Sequence, residues 1–252
     1  LKPSQARMLA AADLLIWVGP ELSPWLEGIV GTQVEDHIAL TAHAATHLRA
    51  FGRAGEAEED HAHDADEAQA KEADAGHAHT GVDPHVWLST DNARAWLGVF
   101  SETLATRDPD NAGAYRANAA EATAGLDVLD AQIEGRLAAH QGAEIATFHE
   151  SFGYFAEQFG IEIAGSVRPG DATAPSAAAM EMLRDLVADH GIECAFAEPA
   201  FDPGLLDAIA GGTGLRIGTL DPTGALLPPG PGHYTATLSG IAEAIADCLE
   251  QD

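Results

Sequence analysis

Ile145-Ala-Thr-Phe-His149, Cys194-Ala-Phe-Ala-Glu198 and Ile217-Gly-Thr-Leu-Asp221 carry one pattern three times: a short apolar β run that ends on a polar residue where a turn or helix begins. Helical stretches at Ser151 to Phe159, Ala177 to Asp189 and Pro203 to Ile209 separate them. Strands that alternate with helices run parallel through crossover connections. In open α/β sheets, ligands bind outside the carboxyl ends of the strands. His149, Glu198 and Asp221 are therefore expected along one edge of one sheet, and all three are groups that bind cations or move protons.

Working outward, the chain opens in the same alternating style. Pro3 and Ser4 precede good helix formers from Gln5 to Ala11, and Asp13-Leu-Leu-Ile-Trp-Val-Gly19 reads as a buried strand ending in a glycine turn. Asp91 and Asn92 offer N-caps to an amphipathic run through Leu104. Asp108-Pro109-Asp110 then begins a longer helix, with Tyr115, Ala119, Ala122, Leu126, Leu129, Ile133 and Leu137 at three- and four-residue steps. Its roughly seven turns are long enough to span two lobes.

The 252 residues suffice for one large or two modest domains. Twelve basic against 40 acidic residues leave a net charge of −28, a field that repels phosphate backbones, so nucleic-acid binding is not expected. No apolar run reaches the ~18 residues of a membrane span. The chain starts at Leu1 without an initiator Met or a signal-like segment, and is read as processed or partial. Between Glu56 and Asp74 stand nine carboxylates and one Lys71, flanked by His61, His63, His77 and His79. With no Val, Ile, Leu or aromatic residue to bury, Gly55 to Gly81 reads as a mobile loop. Its Asp/Glu/His composition suits auxiliary contacts with divalent cations, the alternative being a solvated insertion with incidental histidines.

His85 follows this loop in Asp83-Pro-His-Val-Trp-Leu-Ser89, where Pro84 presents it on a fixed corner instead of a helix face. Two imidazoles and a carboxylate from separate strand ends, His85, His149 and Asp221, can converge on a divalent ion, and that donor set suits zinc. The two cysteines, Cys194 and Cys248, are too few for a disulfide scaffold and form no CxxC. The residues alone leave one disulfide and two buried thiols as equal alternatives.

Seven segments occur in order: Leu1-Lys-Pro-Ser-Gln5, Ala12-Asp-Leu-Leu-Ile-Trp-Val-Gly-Pro20, Asp83-Pro-His-Val-Trp-Leu-Ser89, Asp108-Pro-Asp-Asn-Ala112, Thr147-Phe-His-Glu-Ser-Phe-Gly-Tyr-Phe155, Phe196-Ala-Glu-Pro-Ala-Phe201 and Leu220-Asp-Pro222. Together they resemble the cluster A-I metal-binding proteins of ABC transporters, in their periplasmic zinc-binding branch. The resemblance implies an α/β fold of two lobes, each a mostly parallel sheet with flanking helices, joined by one long rigid helix with the metal between the lobes. The implied division is an amino-terminal lobe over 1–110 containing the loop 55–81, a linking helix over 111–139 and a carboxyl-terminal lobe over 140–252.

His85 would be the metal ligand from the first lobe, His149 and Asp221 those from the second. A histidine at position 149 favours zinc over manganese, because manganese-binding relatives carry a carboxylate there. A further histidine is expected from a segment upstream of Leu1, as is the export signal. His37, His43 and His47 lie where the family has no ligand. Cys194 and Cys248 match a disulfide of some zinc-binding members, in keeping with an oxidising periplasm. The implied function is high-affinity capture of Zn2+ for an ABC importer. Its partner would be the membrane permease, with a periplasmic zinc metallochaperone as a further candidate, and the protein is expected to be a monomer and not an enzyme.

Glu150 and Glu198 are the candidates for fixing the imidazole tautomers. Zinc affinity should fall as pH drops through the imidazole range near ~6.5, because the ligands must be deprotonated. Three alternatives remain: a manganese- or iron-binding member of the same family, a zinc metallohydrolase with Glu150 or Glu198 as general base, and a zinc buffer acting through the loop. The hydrolase reading lacks an HExxH signature.

Overall fold

The computed structural model describes residues 2–32, 34, 36–51, 81–168, 176–202, 204–211 and 213–251. The loop expected at Gly55 to Gly81 lies, but for Gly81, outside the described residues, and with it His61, His63, His77 and His79. Helix α1 (Pro3–Ala10), strand β1 (Leu15–Trp17), the short α2 (Pro24–Glu27) and strand β2 (His37–Ala39) open the chain. The two strands pair in parallel, Ile16 opposite Ile38. The expectation of a buried first strand needs correction. Ile16 is 39% exposed, because among the described residues β1 pairs only with β2 and one of its faces meets solvent.

Two helices follow, α3 (Thr90–Arg107) and α4 (Ala112–Leu137), packed against each other. The cap of α3 is Ser89, whose Oγ accepts the Asn92 N–H at 3.2 Å, and not Asp91 or Asn92 as the sequence suggested. Asn92 is instead buried, and its amide donates to the His47 and Val86 carbonyls at 3.1 Å each. A side chain that satisfies two loop carbonyls from inside the first turn closes the segment ahead of the helix onto it. The 26 residues of α4 bury Leu126, Leu129, Ile133 and Leu137, the apolar stripe read from the sequence.

The second half is a doubly wound sheet. Strands β3 (Glu144–His149), β4 (Glu162–Arg168), β5 (Cys194–Ala197) and β6 (Arg216–Thr219) alternate with α5 (Gly153–Phe159), α6 (Ala177–His190) and α7 (Gly204–Ala210), and α8 (His233–Leu249) closes the chain. All neighbouring strands are parallel, in the order β4-β3-β5-β6. Strand β4 was not among the strands expected from sequence, although Ile161, Ile163 and Val167 mark it. Gly160 and Gly191 take left-handed conformations (φ +73° and +67°) that end α5 and α6 and turn the chain into the next strand.

Both faces of this sheet are buried, as a parallel sheet requires. Ile145, Cys194 and Phe196 point into a core shared with α4, α5 and α8, while Ala146, Phe148, Ala195 and Ala197 point at α6 and α7. The first core continues without a break into the other half through Leu40, Val86, Leu88 and Trp96. One core thus runs through both halves of the chain, and α4 contributes Leu126, Leu129, Ile133 and Leu137 to it. Cys194 and Cys248 form a disulfide that ties β5 to α8.

Candidate metal centre

The chain winds from β3 to β4 on one side and reaches β5 on the other, so the topological switch point lies between β3 and β5. Loops diverge there and leave a crevice at the carboxyl ends of the strands. His149 is the last residue of β3 and Glu198 follows β5 directly. The His149 Nδ1–H donates to Glu198 Oε1 at 2.6 Å, with both side chains buried. Of the two glutamates considered from sequence, Glu198 is thus the one on the His149 ring nitrogen. The Glu150 amide donates to the Arg168 carbonyl.

His85 arrives from the other half of the chain. It stands at the start of a 3₁₀ turn, Val86–Leu88, on the non-helical corner that Pro84 predicts. Its Nδ1–H and its backbone N–H both donate to Asp83 Oδ1, at 2.7 and 2.9 Å. Asp83 is fully buried; its second oxygen meets Arg49 Nη1 at 3.3 Å, and its carbonyl accepts the Tyr154 hydroxyl. The Asp83 carboxylate and Arg49 are parts of the site that sequence reasoning missed. The spacing of an acid two residues before a histidine was the available signal for the first.

Each ring has its Nδ1–H held by a buried carboxylate, so each turns Nε2 toward the other, 3.2 Å away. A cation between the two rings would meet one imidazole nitrogen from each half of the chain. Zinc–nitrogen bonds of 2.0–2.1 Å in a tetrahedron put neighbouring nitrogens about 3.3–3.4 Å apart. The observed separation fits that edge.

Asp221, two residues beyond β6, lines the same cavity of about 230 Å³ together with both histidines, Glu198, Trp87 and Phe201. Its carboxylate is turned into its own loop: Oδ1 accepts from the Thr223 N–H and hydroxyl, and Oδ2 from the Leu226 N–H. Burial raises its pKa, but the Leu226, Ala225 and Thr223 amides outweigh burial and hold the carboxyl below its ordinary range. Among the described residues no three His, Cys, Asp or Glu side chains stand close enough together to enclose an ion as they lie. The structure therefore brings the imidazole pair into contact and Asp221 to the wall of their cavity. His37, His43 and His47 do not line it. His47 meets Glu157 on the surface.

A buried imidazole pair at the switch point of one lobe, reached by a corner of the other, belongs to the class of two-lobed α/β solute-binding proteins. The chain itself is a member of the family described as "Zinc-uptake complex component A periplasmic", whose model matches residues 1–248. It is 44% identical over 287 residues to the high-affinity zinc uptake system protein ZnuA of Paracoccus denitrificans, covering all of this chain and 81% of that protein. To the protein of the same name in Brucella suis it is 31% identical over 274 residues, with the same coverage. A crystal structure of ZnuA superposes with a TM-score of 0.73 at 24% identity, covering 98% of this chain and 84% of the other. The Pseudomonas aeruginosa binding protein FpvC, solved with Mn2+, gives a TM-score of 0.77 at 19% identity over 99% of this chain and 84% of that one. These likenesses show the two-lobed fold.

Proposed function

We propose that this protein captures Zn2+ outside the cytoplasm and delivers it to an ABC importer, holding one ion with His85, His149 and Asp221. The observation that carries the reading is the pair of Nε2 atoms 3.2 Å apart, each on a ring whose other nitrogen is held by a buried carboxylate. Zinc uptake is the function named for the family and for the Paracoccus and Brucella relatives. Asp221 completes three donors by turning part of its carboxylate from Thr223 and Leu226 toward the ion; a further histidine takes the fourth corner that zinc prefers. The reading as a binder is supported by Glu198, one of the two glutamates considered as a hydrolytic base, whose carboxylate is engaged on His149. The surrounding charge of −28 raises the capture rate of a dication, and salt weakens it. His61, His63, His77 and His79 serve as auxiliary contacts, so deleting 55–81 alters stoichiometry or transfer and leaves the tight site.

The test is a competition zinc titration on the full mature protein and on His149→Ala, with metal content measured independently. One tight zinc per chain, weakened more than about 100-fold in the variant, is expected, since even outer partners of a ligand contribute about 10–100-fold. Unchanged tight binding would remove His149 from the site and overturn the reading.

A further inference from the structure

Trp87 connects the two sides of the cavity. Val86 and Leu88 on either side of it are buried in the shared core, which leaves the Trp87 side chain facing the crevice. Its ring lies 5.2 Å from the His85 ring, and its indole N–H donates to the Pro222 carbonyl at 2.8 Å, 135 residues away and next to Asp221. From the other direction Tyr234 of α8 donates its hydroxyl to the Trp87 carbonyl at 2.9 Å and to that of Ser89 at 3.3 Å. Burial raises the Tyr234 pKa, which keeps that hydroxyl protonated and donating.

The geometry points to Trp87 as the positioning residue that sets the Asp221 loop against His85. This rests on the reading of His85, His149 and Asp221 as the zinc site. Residues 221–226 form a unit closed by the Asp221 carboxylate on the Thr223 and Leu226 amides. In the metal-free protein those bonds hold the loop together, and the hydrogen bond from Trp87 to Pro222 links it to the corner carrying His85. Tyr234 anchors the backbone of that corner to α8, so the indole donates from a fixed base. An indole bonded to the loop of one ligand and packed against the ring of another couples their separation, which the ion's geometry demands be right to a few tenths of an ångström.

Trp87→Phe keeps an aromatic ring in the cavity and deletes only the donor. In the metal-free protein it should speed hydrogen exchange at the Thr223 and Leu226 amides, with no comparable change in β3 or β5. In the zinc-loaded protein it should raise the rate of zinc release to a chelator about tenfold, the size expected for an outer partner of a ligand. That increase should vanish in an Asp221→Ala background, because there is then no ligand to misplace. Tyr234→Phe, which leaves the cavity lining unchanged, should act in the same direction.

Unchanged amide exchange in Trp87→Phe would overturn the proposal. So would an equal increase in release with and without Asp221, since that would mean Trp87 acts by packing alone. If Asp221→Ala instead binds and releases zinc like the parent protein, it is the zinc-site reading that fails, and the exchange measurement still decides whether Trp87 holds the loop.

Discussion

His85 and His149 reach the same point by opposite routes. His85 is oriented locally: its carboxylate stands two residues earlier, and Pro84 between them makes the corner that lets one Asp83 oxygen accept both the ring and the backbone N–H. His149 is oriented by tertiary structure: Glu198 lies 49 residues away and reaches it only because β3 and β5 are neighbours in the sheet. The first arrangement survives as long as one short segment is folded. The second exists only while the sheet holds its strand order, so the two should fail differently.

The disulfide separates them most sharply. It ties β5, which ends at Glu198, to α8 across 54 residues. Replacing Cys194 and Cys248 with alanine should cost about 4 kcal/mol of stability by loop-closure entropy, measured by denaturant unfolding. In the folded fraction the weakened element is β5, so exchange protection should drop there and not at His85. Equal loss at both histidines would break the distinction.

Asp83→Ala comes next. It leaves part-buried Arg49 with Glu157 as its remaining carboxylate and removes the acceptor for two His85 donors, which should destabilise by about 3 kcal/mol, the lower end for a broken buried pair because Arg49 keeps that partner and reaches solvent. Thermal unfolding of the metal-free protein measures this. Glu198→Gln should leave stability nearly unaffected, since the amide oxygen still accepts from His149, yet weaken zinc about tenfold as the ring loses a charged partner. A zinc effect from Glu198→Gln larger than that from Asp83→Asn would show that the tertiary pair dominates the affinity; the reverse would give that role to the local pair.

The smallest effect concerns acid. Asp221 has its carboxyl held below the ordinary range, so the stability this shift contributes is present above the unfolded carboxyl's pKa near ~3.9 and lost only as pH falls through the lower folded value. It stays ionised through the range in which imidazoles take up protons. Zinc release between pH 7 and 5 should therefore follow the histidines, and Asp221→Asn should lower affinity at every pH in that range without moving the midpoint. A midpoint shift on titrating the variant would show that Asp221 titrates there.

Much of this was legible in the chain. The three β runs leading to His149, Glu198 and Asp221 announced a parallel sheet and the edge at which these residues stand, because strand-length apolar runs separated by helices have few other ways to pack. The stripe from Leu126 to Leu137 announced the long helix for the same reason. Strand β4 was hidden because Gly165 and Ser166 interrupt its apolar alternation, and β5 covers neither of its edges. Its pairing with β3 shows only in three dimensions. The cap at Ser89 was misplaced by two or three residues because Asp91 and Asn92 are equally good capping types, and only the burial of Asn92 against the His47 and Val86 carbonyls tells them apart.

The sequence by itself determined the alternation of elements, the acidic field and the corner at Pro84 that carries His85, since each follows from composition or from residues within a few positions of one another. Only the tertiary structure decided that Glu198 and not Glu150 orients His149, that Trp87 bonds to the loop of Asp221, and that the two Nε2 atoms meet at 3.2 Å. Those contacts join residues 49 to 135 positions apart. Chain separation carries no direction in space until strand order and a shared core bring the segments to one crevice.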